Sequence, residues 1–339
     1  MNREEKKLVM AVSGRAVGEF PNSLIEAARY LQNPDACVEL VAALRWPSGP
    51  ICPHCGGTEY SFLTTRRIWK CKACRKQFSA KSGTIFEDSP IPLDKWLLAT
   101  WLIVNCKNGI SSYEIARAVK VTQKSAWFML HRIRLALANG TWEKIGGGGW
   151  NPVEVDETYV GGKPKNMHKE RRLQIARTGE KKAIVMGMLS RNPRQVRATV
   201  VPNAKRETLQ AEILKNVGFA AHVYTDEHVG YMNMDAKRYI HETVNHMDEY
   251  VRGQVHTQGI ENFWSLLKRT LNGTYVAVEP FHLDRYVAEQ VFRYNNRATK
   301  DNPLNDADRF LLAVSQISGK RLTYKELTGK VGETSTEPF

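Results

Sequence analysis

The sequence predicts a multidomain chain in which a small cysteine-built ribbon and a helix-turn-helix precede a larger α/β domain with a mixed sheet. Three observations carry that prediction. Two CxxC pairs, Cys52/Cys55 and Cys71/Cys74, are set apart by the 15 residues 56–70. A run of four glycines at 146–149 marks a boundary, since such a run favours no regular element. Beyond it, strand-like and helix-like segments follow one another with acids placed at strand ends.

Composition narrows the classes first. At 339 residues the chain exceeds one small module, and 42% hydrophobic residues suffice for real cores. Forty-nine Lys plus Arg against 35 Asp plus Glu give a formal charge of +14, a field that attracts polyanions such as nucleic acid. No apolar run approaches the roughly 18 residues of a membrane span, and the opening MNREEKK lacks the apolar centre of a signal peptide. A cytoplasmic, nucleoid-associated protein is expected, with no membrane partner. Six cysteines are too sparse for a disulfide scaffold, and four of them fall in CxxC pairs, so they read as reduced metal ligands.

Residues 1–48 read as a helical lead-in, with Leu24, Ala28, Leu31, Val38, Leu40 and Leu44 at helical spacing. Residues 49–82 read as a zinc ribbon. Cys52, Cys55, Cys71 and Cys74 have the spacing with which two turns close a tetrahedral site around structural Zn2+, which then supplies much of the module's folding energy. Gly56 and Gly57 permit the tight turn, and Tyr60, Phe62, Ile68, Trp69 and Phe78 are strand-type side chains. Arg66 and Arg67, with Lys70, Lys72, Arg75 and Lys76, form either a phosphate-facing surface or a solvated basic face. Cys37 and Cys106 sit in apolar contexts and read as small buried hydrophobes.

Residues 88–140 read as a helix-turn-helix DNA-binding domain. A helix over 90–104 buries Trp96, Leu97, Thr100, Trp101 and Val104, and Ser111 with Glu114 forms a capping box for a short helix to 119. A second helix follows from 122. Ala126, Leu130, Ile133 and Leu137 make its buried stripe, leaving Gln123, Lys124, Trp127, His131 and Arg134 toward solvent and DNA. An ordinary three-helix packing unit is the alternative. Residues 141–151 are the glycine-rich linker.

Residues 152–160 alternate like a strand, with Val153, Val155 and Glu157 on one side and Glu154, Asp156 and Thr158 on the other. Strands over 183–190 and 196–201, a helix near 205–216, and a strand over 220–226 ending in Asp226 come next. Three strands, a helix and a further strand describe the opening of an RNase H-like fold, assigned here to residues 152–315, with a C-terminal tail at 316–339. In GIENFWSLLKR (259–269), Ile260, Phe263, Leu267 and Leu271 form a buried face, while Glu261 and Lys268 stack on one side about 10 Å apart. Asp156, Asp226 and Glu261 are hard oxygen ligands from separate elements, which suits Mg2+ or Mn2+ at a catalytic site, and Lys268 can reach a phosphate.

At these residues the chain resembles the DDE transposases of bacterial insertion sequences, in the subgroup with an N-terminal zinc ribbon. The stretches RWPSGPICPHCGG, CKACRKQFSAKSGTIFEDSPIPL, VEVDETYVGGK, VYTDEHVGY, HTQGIENFWSLLKR and FRYNNR carry the resemblance, which covers most of residues 40–300. It implies an RNase H-like catalytic domain, divalent metal, cleavage at terminal inverted repeats, and transfer of 3′ ends into target DNA without a covalent protein intermediate. Asp156 and Asp226 match the two family aspartates, Glu261 the third acid, and Lys268 the basic residue two turns on. The resemblance extends to relatives with Asn as third ligand, and Asn262 is adjacent. A carboxylate is the better ligand for a hard dication, which favours Glu261.

Lys163 opens a basic stretch reaching 182 that is either a DNA-contacting insertion or a solvated loop. His256 and Thr257 either orient the acid-bearing helix or cap it, and Tyr294, Asn295 and Arg297 either reach phosphates or cap a packed helix. The expected partners are double-stranded DNA, as element ends and as target, and further copies of the chain in a homodimer or larger assembly, because two ends must be joined. Two other functions share these residues: a DNA-binding regulator with an inactive core, and a structure-specific metal-dependent nuclease.

Overall fold

The computed structural model describes residues 20–138, 143–147, 151–161, 169–170, 173, 182–244, 254–300 and 302–329. These fall into two compact units, one drawn from residues 1–139 and 296–339, the other from 140–295. Among the described residues no helix is long and apolar enough to cross a membrane.

The first unit begins with α1 (Leu24–Leu31), capped by Ser23, and α2 (Pro34–Arg45), capped by Asn33. Asn33 accepts from the backbone of Asp35, and Pro34 occupies the first helical position, so this dipeptide breaks the lead-in into two helices. The ribbon is a three-stranded antiparallel sheet of β1 (Tyr60–Leu63), β2 (Ile68–Cys71) and β3 (Gln77–Phe78). Trp69 and Phe78 stack at 5.9 Å between ring centres, and Trp46 packs edge-on against both. Three aromatic rings thus supply the apolar contact that so small a sheet otherwise lacks.

Three helices follow: α3 (Leu93–Asn105), α4 (Ser112–Val119) and α5 (Gln123–Leu137). The Ser111/Glu114 capping box is formed in both directions, and Lys120 ends α4 in the left-handed conformation that turns the chain into α5. Every residue expected on the buried stripes of α3 and α5 is buried. Two residues expected toward solvent are buried as well. His131 and Arg134 are 0% and 1% exposed, because the second unit-forming segment of the chain returns here and covers the far side of α5. That segment supplies α9 (Asp306–Ser315) and α10 (Tyr324–Leu327). Phe310 of α9 packs on Trp101 of α3, Tyr324 of α10 packs on Phe128 of α5, and Lys320 donates to the carbonyls of Ala136 and Ala138 at the end of α5. Residues 306–315, assigned from sequence to the catalytic core, therefore belong to the helical unit, since their apolar face (Phe310, Leu311, Val314) is buried there.

The second unit is a five-stranded mixed sheet in the order β6-β5-β4-β7-β8, built from β4 (Val153–Val160), β5 (Ala183–Arg191), β6 (Arg194–Val201), β7 (Ala221–Asp226) and β8 (Tyr239–Val244). β4 to β6 pair antiparallel, whereas β4, β7 and β8 run parallel. Leu209 and Ile213 of α6 (Arg206–Asn216) cover one face, over Val153, Val155, Met186 and Val223. Ile260, Phe263, Trp264 and Leu267 of α7 (Gln258–Thr270), with Tyr286 and Val287 of α8 (Leu283–Asn295), cover the other, over Val185, Leu189 and Val196. A mixed sheet of this order between helices is an RNase H-like core. Asn295 accepts from the backbone N–H of Val196 and donates to its carbonyl, so it covers part of the β6 edge as a paired strand would. Ile145 bridges Val217 in parallel, and Gly147, at φ +89°, lies so close to Gly218 and Phe219 that a Cβ would meet the Phe219 carbonyl at 2.9 Å. The start of the glycine run is thus docked on this unit; Gly148 and Gly149 lie outside the described residues.

Candidate active site

Two groups of metal-ligating side chains converge among the described residues. In the ribbon, Cys52 and Cys74 have sulfurs 3.7 Å apart and Cys55 and Cys71 3.6 Å apart, with all four ligand atoms within 4.8 Å of one another. A tetrahedral ion with bonds of about 2.3 Å to sulfur sets its ligands roughly 3.8 Å apart, so the cluster is already sized for one. The backbone N–H of Cys74 leads the contacts that hold the Cys71 thiol down at about 7, which favours the thiolate a metal needs.

The second group lies in the α/β unit. β4 and β7 are adjacent and parallel, with Val153 opposite Val223 and Glu154 opposite Tyr224, so Asp156 and Asp226 come side by side two residues further on. Carboxylate oxygens of Asp156, Asp226 and Glu157 lie within 4.8 Å of one another. Burial first, and then the nearby Asp226 charge, raise the Asp156 carboxyl to about 7, although the Trp264 indole N–H, donated to Asp156 Oδ2 at 2.9 Å, opposes that shift. Two acids held this close, in partial burial, are poised to exchange a proton for a cation. Asp226 Oδ1 accepts from the His228 backbone at 3.1 Å, and Glu157 accepts from the buried Tyr231 hydroxyl at 2.6 Å, so both side chains are oriented.

The helix bearing the third expected acid sits hard on this sheet. Glu154, 1% exposed, accepts from Arg191 Nε at 2.7 Å and from the Ile260 backbone N–H at 2.9 Å, which pins the first turn of α7 to β4. Glycines make that approach possible: a Cβ on Gly259 would stand 2.7 Å from Glu154, and one on Gly187 would stand 2.6 Å from Trp264. His256 lies in the same network, near Arg191 and Glu154, and burial with the Arg191 charge lowers its imidazole below the usual range.

The expected site residues are therefore distributed as follows. Cys52, Cys55, Cys71 and Cys74 come together, as do Asp156 and Asp226. Glu261 is exposed on the first turn of α7, 3.5 Å from the Thr257 hydroxyl, and is not part of the acid group; Lys268 is exposed on the same helix. Arg66 donates to Gln77, Arg67 pairs with Asp35 at 2.5 Å, and Lys124 is exposed above the Tyr324 ring. His131 and Arg134 are buried, which withdraws them from any DNA surface in this conformation. Lys163 lies outside the described residues. Glu157 joins the acid group although it is not among the residues expected from sequence; its alternation with the buried Val153 and Val155, which leaves a carboxylate in need of a partner, is the signal that could have found it.

Residues 147–295 match the ISXO2-like transposase domain and residues 32–77 match the transposase zinc-ribbon domain, in that order along the chain. The α/β unit thus carries an ISXO2-like transposase domain, and the cysteine ribbon is a transposase zinc ribbon. The chain is similar to an uncharacterized protein in transposable element ISH50 of Halobacterium salinarum, 27% identical over 246 residues that cover 69% of this chain and 81% of the relative. The transposase domain spans the acid group and the whole five-stranded sheet, while the ribbon match includes all four clustered cysteines.

Proposed function

We propose that the chain is a DDE transposase that binds the terminal inverted repeats of its insertion sequence, cleaves DNA at the element ends by metal-dependent hydrolysis, and transfers the 3′ ends into target DNA. The observation that carries this reading is the pairing of Asp156 with Asp226 on adjacent parallel strands of an RNase H-like sheet. Mg2+ or Mn2+ fits this oxygen donor set, and when bound supplies charge stabilisation for attack on a phosphodiester. Asp156 and Asp226 would hold it. Trp264 orients Asp156, whose raised carboxyl would have to ionise to serve as a ligand.

Glu261 is the proposed third acid. Helical geometry places it within about 60° of Trp264 around α7 and about 20° from Lys268, so all three share the flank from which Trp264 reaches Asp156. Lys268 would neutralise a phosphate beside the cut. The four cysteines are assigned structural Zn2+, whose role is to fold the ribbon. Arg66, Lys124 and Lys163 are proposed phosphate contacts, and an assembly of at least two chains is required to hold two element ends. The test is incubation with a duplex carrying the element ends and a supercoiled target in Mg2+. Joined products from the wild type and none from Asp226→Asn are expected; cleavage without joining would replace this reading with a nuclease, and binding without cleavage with a regulator.

A further inference from the structure

Next to the acid group, the first turn of α7 and the β5–β6 turn enclose a cavity of about 490 Å3, lined by Glu154, Arg191, Arg194, His256, Gln258 and Asn262. Its carboxylate is compensated, since both Glu154 oxygens accept hydrogen bonds. Arg191 is committed too: beyond Glu154, it donates to the carbonyls of Gln254 and His256. Arg194 is different. Its Nε donates to the Tyr294 hydroxyl at 3.0 Å and its guanidinium carbon stands 6.0 Å from that ring, so the side chain is braced from behind. Among the described residues no other hydrogen bond engages it. Gln258 and Asn262, four residues apart on α7, add two exposed amides to the same wall. Two arginines against one carboxylate leave the cavity with one positive charge.

Position selects the ligand. Glu154 and Asp156 lie two residues apart on one face of β4, about 7 Å along the strand, which is roughly the reach of one nucleotide. A phosphodiester carries one negative charge and accepts both from a guanidinium fork and from amide N–H groups. We propose that this cavity holds a backbone phosphate of the cleaved DNA strand, one nucleotide from the scissile phosphate, with Arg194 as its charged donor and Gln258 and Asn262 as neutral donors. The proposal rests on the DNA-cleavage reading above.

The test uses the full chain and an element-end duplex in which single phosphates around the cut are replaced, one at a time, by neutral methylphosphonates. Wild-type affinity should drop at the position adjacent to the cut. Arg194→Ala should remove that penalty alone, leave the penalties elsewhere intact, and lower the slope of log affinity against log salt by about 0.9, as loss of one phosphate contact requires. Asn262→Ala, which truncates an exposed side chain, should shrink the same penalty, and it decides the matter if Arg194→Ala does not fold. Identical methylphosphonate profiles in the wild type and the folded variants would overturn the proposal while leaving the cleavage reading standing. A wild type that neither binds nor cuts the element ends would overturn both.

Discussion

Trp264 and Asp156 join the fold to the chemistry through one hydrogen bond, the indole N–H to Oδ2 at 2.9 Å. Trp264→Phe keeps most of the packing against Gly187 and removes that donor. Titration with Mn2+ is expected to show affinity lowered about 10-fold or more, the usual consequence of losing a group that orients a ligand, with only a small loss of thermal stability. A second outcome follows from the carboxyl raised to about 7. Because the fold disfavours the ionised form, the stability that Asp156 contributes to the metal-free protein is fully present below its unfolded value of about 4 and is lost as pH rises through about 7. Melting curves of chelated protein should show this loss in the wild type and not in Asp156→Asn, with Mg2+ restoring stability at the higher pH. At this scale the four cysteines were expected together from their CxxC spacing, and Asp156 and Asp226 from strand alternation, a strand end and the family resemblance; the fold brings each set together. The burial of His131 and Arg134 was not legible. Helical periodicity reports one buried stripe, and nothing in α5 itself announces that residues 306–327 cover a second.

Among the elements, α7 was the most legible, its apolar face at 260, 263 and 267 matching the observed core. Its tight seating was not, since it depends on glycines distant in sequence. Gly259→Ala and Gly187→Ala are each expected to destabilise the fold by about 1–3 kcal/mol, measured by denaturant titration, because the added methyl meets Glu154 or Trp264 below contact distance. β8 went unread for a different reason: it is an edge strand whose middle residues are largely exposed, so it shows little alternation. In the helical unit Arg132 donates to the carbonyls of Ile85, Glu87 and Leu322, tying α5 to both the segment before α3 and the returning C-terminal chain. Arg132→Ala should cost about 3 kcal/mol of stability, since it leaves three carbonyls without their charged donor.

On the scale of the whole molecule, the order of modules was readable from the cysteine spacing, the glycine run and the acids, whereas the return of residues 296–329 to the first unit was not, because long-range packing leaves no local signature. A fragment ending at residue 138 is consequently expected to show poor helical cooperativity by circular dichroism, although it contains the ribbon and α3 to α5. Metal removal should unfold the ribbon and spare the α/β unit, whose buried clusters contain no cysteine. The central claim is that the Asp156/Asp226 pair brings a divalent cation to the scissile phosphate. Its most direct measurement is the cleavage rate of an element-end duplex with one oxygen of that phosphate replaced by sulfur, compared in Mg2+ and Mn2+. Hard Mg2+ tolerates sulfur poorly and Mn2+ tolerates it better, so cleavage should fail in Mg2+ and return in Mn2+. Equal rates in the two metals, matching the unmodified duplex, would contradict the account.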